Sequence, residues 1–127
     1  AGSVLLFGDG NIGSSTSVRF LDPGYSGSAT APSTEVKMVV PYGGTLRNLF
    51  IKHNTPTAPD AATITYTVRK NGVDTALLVT LGPDDPEAFN TVDTIAVVQG
   101  DDVSIKITKS ASIGGGGIES VATLELA

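Results

Sequence analysis

Apolar and polar residues alternate along most of this chain, and the alternation is clearest from Ala61 to Leu81, where two runs meet at Asn71-Gly72. Asn-Gly between alternating runs signals a hairpin, because a type I′ turn needs positive φ at both central residues. A two-residue loop sets the expected register: Lys70 opposite Val73, Arg69 opposite Asp74, Val68 opposite Thr75, Tyr66 opposite Leu77 and Ile64 opposite Val79. Side chains alternate between the two faces of a strand. One face of the hairpin therefore collects Ile64, Tyr66, Val68, Thr75, Leu77, Val79 and Leu81, which is a core face. The other carries Thr63, Thr65, Thr67, Arg69, Asp74, Ala76, Leu78 and Thr80, a mixture that suits either water or a neighbouring subunit.

Further strands are predicted on both sides of this hairpin. Ser3 to Phe7 is short and almost wholly apolar, as in strands buried on both faces or covered by a partner. Thr16 to Leu21 places Val18 and Phe20 on one face, and Glu35 to Val40 places Val36, Met38 and Val40 inward. Thr45 to His53 slips its alternation: Leu46 shares a face with Asn48, yet Leu49 and Ile51 look like the core set. One extra residue near Arg47-Asn48 repairs the pattern, which predicts a β-bulge there. Thr91 to Val98, Val103 to Lys109 and Ile118 to Leu126 complete the set, with Ile95, Val97, Val103, Ile105, Ile107, Ala122, Leu124 and Leu126 inward. Gly8 to Gly13, Tyr25 to Thr34, Asn54 to Asp60, Gly82 to Asn90 and Ala111 to Gly117 read as loops or turns. About nine short strands with turn signals at near-regular spacing, and no helical period, predict an all-β antiparallel sandwich of jelly-roll type. Neither a tandem repeat nor a domain boundary is visible, so residues 1–127 are expected to form one sandwich domain.

Composition narrows the function. Charged residues are 17% of the chain and the formal net charge is −5 without a basic cluster. Nucleic acid is therefore not an expected partner, since phosphate recognition draws on Lys and Arg; an anionic membrane surface is disfavoured for the same reason. Cys is absent, which removes disulfides and thiolate metal sites. No apolar run approaches the roughly 18 residues of a membrane span, and Val4 to Phe7 is too short for a signal-peptide core. The Ala-Gly-Ser start suits a small protein trimmed of its initiator Met and made in the cytoplasm without a signal peptide, and an excised domain is the alternative.

The candidate chemistry is sparse. His53 is the single His, with no metal or catalytic partners nearby in sequence. Gly-x-Ser-x-Gly is absent, and Gly114 to Gly117 is not followed by the Lys-Ser/Thr of a phosphate loop. Asp84, Asp85 and Glu87, and Asp101 with Asp102, place carboxylates in loops that calcium favours, but the EF-hand spacing is absent and each position suits ordinary turn chemistry. With Tyr25 and Tyr42 these Asp residues are the candidate ligand loops of a sugar-binding module, and the lack of Trp leaves its aromatic platform thin. No catalytic residue, cofactor or metal site is predicted, and an enzyme is not expected.

Three segments carry a family resemblance: Gly44 to Pro56, Thr65 to Ala76, and Val97 to Lys106. They resemble bacterial and bacteriophage β domains of the trimeric jelly-roll kind, the type of the tumour necrosis factor and complement globular heads. The motifs are structural: a bulged strand, a hairpin turn and a Gly-Asp turn. The resemblance implies a homotrimer that decorates a capsid or heads a fibre, attached to a capsid, tail or fibre protein. Spore-coat or cell-surface fibre heads, and a module that binds a surface glycan, are the alternatives. It implies no catalytic residue. The predicted subunit interface consists of Val4, Leu5, Leu6, Phe7, Val39 and Leu78, because contiguous apolar residues, or apolar residues on the face opposite a core set, need cover.

Overall fold

The computed structural model describes residues 2–54, 62–113 and 117–127, with residues 28 and 29 described by backbone alone. Its described residues form strands β1 (Ser3–Asn11), β2 (Arg19–Phe20), β3 (Ser26–Thr30), β4 (Met38–Val39), β5 (Gly44–His53), β6 (Ile64–Lys70), β7 (Val73–Leu81), β8 (Glu87–Asn90), β9 (Ile95–Val97), β10 (Asp102–Lys109) and β11 (Ser120–Leu126), with no helix among them. A six-stranded sheet runs β3-β1-β11-β5-β8, with β9 also paired to β5. A five-stranded sheet runs β2-β10-β6-β7, with β4 also paired to β10. All pairings are antiparallel except β1 with β3. The two sheets pack face to face. Phe7, Leu46, Leu49, Ile51, Ala122 and Leu124 from the first sheet meet Ile64, Tyr66, Val68, Leu77, Ile105 and Ile107 from the second in one buried cluster.

The hairpin turns where its sequence requires: Asn71 and Gly72 both have positive φ, at 51° and 77°. Arg69 pairs with Asp74 as expected. Beyond that point the register differs from the expectation. Tyr66 lies opposite Val79, not Leu77, and Ile64 lies opposite Leu81. Three residues of β7, Thr75 to Leu77, pass where β6 has Val68 alone. The Thr75 hydroxyl holds the irregularity by donating to the Val68 carbonyl at 2.7 Å while accepting from the Leu77 amide at 3.3 Å. Because the excess is even, every side chain keeps its predicted face, and Leu77, Val79 and Leu81 are all buried.

The bulge in β5 is present. Register against β11 shifts between Thr123 and Glu125, opposite Phe50 and Arg47, and Asn48 adopts φ 54°. Asn tolerates this left-handed conformation better than most residues, and the extra residue returns Leu49, Ile51 and His53 to the core.

Several expectations are corrected. Gly8 to Asn11 continues β1 instead of turning, and the predicted loops Tyr25 to Thr34 and Gly82 to Asn90 contain β3 and β8. The strand predicted over Thr16 to Leu21 shortens to Arg19–Phe20, with Val18 exposed. Glu35 to Val40 shortens to Met38–Val39. Most of the loop after Asn54 and most of the glycine run at 114–117 lie outside the described residues.

Candidate functional site

Outward side chains of the six-stranded sheet line up across its strands. Leu6 of β1 lies opposite Thr123 of β11, Thr123 opposite Phe50 of β5, and Phe50 opposite Phe89 of β8. Local sequence dictates this placement, since Phe50 sits between the inward Leu49 and Ile51. The Phe50 and Phe89 rings stack with centroids 5.3 Å apart, yet remain 46% and 63% exposed. Shallow depressions flank Phe50. One is lined by Val4, Asn48, Thr123 and Glu125, the other by Lys52, Asn54, Glu87, Val121 and Thr123. Charged positions border the apolar row. On one side Arg47 Nε donates to Glu125 Oε1 at 2.8 Å, and Asn48 Nδ2 donates to the same oxygen at 2.9 Å. On the other side Lys52 lies directly opposite Glu87.

The outer face of the five-stranded sheet is different in kind. Arg69 is held between Glu35 at 3.2 Å and Asp74 at 2.9 Å, and lies over the Phe20 ring. Lys106 pairs with Asp74, the Ser104 hydroxyl donates to Glu35 at 2.6 Å, and the Thr65 and Thr80 hydroxyls share a bond. Lys106, then Arg69, hold the Asp74 carboxyl below the usual carboxylate range. Polar groups here are already paired with one another.

The six predicted interface residues do not form one surface. Val4 and Leu6 are exposed on the outer face of the six-stranded sheet. Leu5 packs partly against the core, and Phe7 is fully buried within it. Phe7 is therefore a core residue and offers nothing to a partner. Val39 and Leu78 are exposed but belong to β4 and β7 of the other sheet. Phe50 was legible as an outward aromatic from its alternation. Phe89 was not, because its strand reads as a loop.

The candidate ligand loops are scattered too. Asp101 accepts bonds from the Val98 amide and Asn71 Nδ2, and these bonds lower its pKa. The Asp102 amide donates to Asn71 Oδ1. Both therefore sit at the hairpin turn. Asp85 accepts from the Gly82 amide beyond the far end of β7, and Asp84 has φ 65° beside it. The length of β6 separates these loops, about 20 Å at roughly 3.3 Å per residue. Tyr25 bonds to Glu119, whereas Tyr42 bonds to Ser3 at the start of β1. No group of three or more potential ligands occurs among the described His, Asp and Glu residues.

A buried polar layer was not anticipated. Asp9, Ser120 and His53 face inward side by side on β1, β11 and β5, with Asp9 and Ser120 fully buried and His53 4% exposed. The signal for Asp9 is its two-residue spacing from Leu5 and Phe7. Tyr66 reaches across from the facing sheet, its hydroxyl 2.7 Å from His53 Nε2. Burial lowers the His53 pKa to about 4 and raises that of Tyr66. Asp9 Oδ2 accepts from the Asp22 amide at 2.9 Å. Burial, then the hydrogen bond to the Asp22 carboxyl, push Asp9 up to about 8. The layer thus holds a neutral imidazole and a protonated carboxyl. Asp, Ser and His are adjacent, with the serine between the other two and sealed from solvent, and Asp9 Oδ1, Ser120 Oγ and His53 Nδ1 are buried without a hydrogen-bond partner.

No protein-family model matches the chain, and no curated protein matches it. Among solved structures, murine APRIL at pH 8.5 aligns with TM-score 0.53 and 16% identity over 99% of this chain and all of that one. A family 35 carbohydrate-binding module from Clostridium thermocellum aligns with TM-score 0.47 and 16% identity over 97% of each chain. At these identities the likeness concerns the fold. The chain is an all-β jelly-roll sandwich.

Proposed function

We propose that this chain is a non-enzymatic assembly module, a homotrimer that packs the outer face of its six-stranded sheet around a threefold axis and displays its loops outward. The observation that carries the reading is the row Leu6–Thr123–Phe50–Phe89, three apolar side chains and one threonine, continuous across four strands and bordered by charge. Exposed contiguous apolar surface marks an interface, and a closed ring is the usual way for like chains to cover it. A buried Phe contributes roughly 200 Å². With the exposures of Phe50 and Phe89, covering both rings removes on the order of 200 Å² per chain from water, or about 5 kcal/mol at ~25 cal/mol per Å². The opposite face, already laced with ion pairs, gains less from contact.

The resemblance in the hairpin and bulge motifs supports a role on a particle or fibre, with virion decoration or a fibre head as the first reading and a spore-coat or cell-surface fibre head as the second. The whole chain is proposed to act as one domain in that role. Light-scattering mass after gel filtration tests the assembly. The native chain is expected to elute as a trimer, Phe50→Asp as a monomer, and Leu78→Asp still as a trimer. A monomeric native chain overturns the proposal.

A further inference from the structure

The inner side of the five-stranded sheet carries two cations that have no carboxylate partner among the described residues. Lys109 continues the inward series Val103, Ile105, Ile107, and only 7% of its surface is exposed. Arg19 lies opposite Ile107 on β2 and points to the same side, so the two are diagonal neighbours with backbones about 7–8 Å apart. Lys109 Nζ and Arg19 Nε are both buried without a hydrogen-bond partner. Arg47, Arg69, Lys70 and Lys106 all have carboxylate partners. Among the described residues Lys109 and Arg19 have none. Removing one charge from water without a partner is costly, and two like charges side by side are worse.

Geometry restricts what could neutralise them. Arg19 Nη1 already donates to the Ala31 carbonyl at 3.1 Å, which leaves the Nε edge of the guanidinium unused. That edge suits the oxygens of an oxyanion, and the Lys109 ammonium adds a point charge from a second direction. Gly13 passes close by, where a Cβ would stand 3.3 Å from Arg19 Nε. The chain from Ser14 to Val18 is exposed and free of regular strand structure, apart from the Ser14 carbonyl accepting from the Ile113 amide at 2.8 Å.

We propose that Arg19 and Lys109 form a binding site for a small tetrahedral oxyanion, phosphate or sulfate, either free or as the terminal ester of a larger molecule. Burial, then the Arg19 charge, hold Lys109 below the usual lysine range. A bound anion opposes that effect and favours the charged ammonium. The site lies between the sheets and does not depend on assembly.

Equilibrium dialysis of the full chain with labelled inorganic phosphate is the direct test. A single saturable site per chain, competed by sulfate and not by nitrate, is expected; no saturable uptake overturns the proposal. Thermal melts at fixed ionic strength supply the residue assignment, with sulfate kept near 10 mM so that its general exclusion from protein surfaces stays small. The native chain should melt several degrees higher with sulfate, and Lys109→Met should lose that rise while folding normally without the ion. An equal rise in Lys109→Met refutes the assignment. If Lys109→Met does not fold, loss of phosphate uptake in Arg19→Gln is the required result. Glucose 6-sulfate in the same melts separates the sources: a rise shows that the site takes an ester, and a rise with inorganic sulfate alone shows that it takes the free ion.

Discussion

Stability of this chain should fall as pH rises from 6.5 to 8, against the direction expected of carboxylates in ion pairs. The perturbation is deprotonation of Asp9, which is fully buried beside Asp22. Its pKa is about 8 in the fold against 3.8 for a free carboxyl. A carboxyl raised by folding contributes stability that is complete below the lower value and lost as pH rises through the higher one. The whole interval corresponds to about 6 kcal/mol at 1.36 kcal/mol per unit. His53 acts in the opposite sense. Its pKa falls from 6.5 to about 4 on folding, so its contribution is complete above 6.5 and is lost as pH falls towards 4. Between 4 and 6.5 the two slopes offset one another, giving a plateau. From 6.5 to 8 the loss at Asp9 stands alone, about 2 kcal/mol. Urea unfolding at intervals across this range should show the midpoint falling by roughly 1 M or more, for a slope of 1–2 kcal/mol per M. Asp9→Asn keeps an acceptor for the Asp22 amide and cannot ionise, so it should remove the decline. A midpoint that holds or rises from 6.5 to 8, or an equal decline in Asp9→Asn, would refute the reasoning.

Other expectations concern the backbone and the loops. Asn48→Val should lower the melting temperature by several degrees, since a β-branched residue in the left-handed region costs about 1–2 kcal/mol, while Asn48→Gly should lose only the bond to Glu125. Gly72→Val should cost a similar amount in the hairpin turn, visible as a lower urea midpoint. Chelator is expected to leave the melting temperature unchanged, because Asp84, Asp85, Asp101 and Asp102 serve two separate turns. A marked drop would reveal a structural cation bound to the native state.

How much of this was legible in the chain follows from where alternation is strong. β6, β7, β10 and β11 carry clean period-two patterns, and their inward residues are the core. Even the bulge at Asn48 left a trace, a slip of one between Leu46 and Leu49. Ser26–Thr30 and Glu87–Asn90 left none. These edge strands of Ser, Gly, Ala, Thr, Glu and Asn, with Phe89 alone among them strongly apolar, take their extended form from β1 and β5, to which they bond. The register beyond Val68 was hidden because a two-residue excess does not disturb the apolar pattern. The Asp9–Ser120–His53 layer was hidden for another reason: it depends on which strands become neighbours, and no local signal reports that. The apolar row on the outer sheet shares that dependence. Phe50 is visible alone, but its alignment with Leu6, Thr123 and Phe89 exists only once β1, β11, β5 and β8 lie side by side.

Sedimentation velocity of the native chain at micromolar concentration tests the central claim most directly. One species at three times the 12.9 kDa chain mass is expected, converted to single chains by Phe50→Asp with the fold retained. A folded native protein that sediments at the mass of one chain, with Phe50 and Phe89 open to solvent, would contradict it.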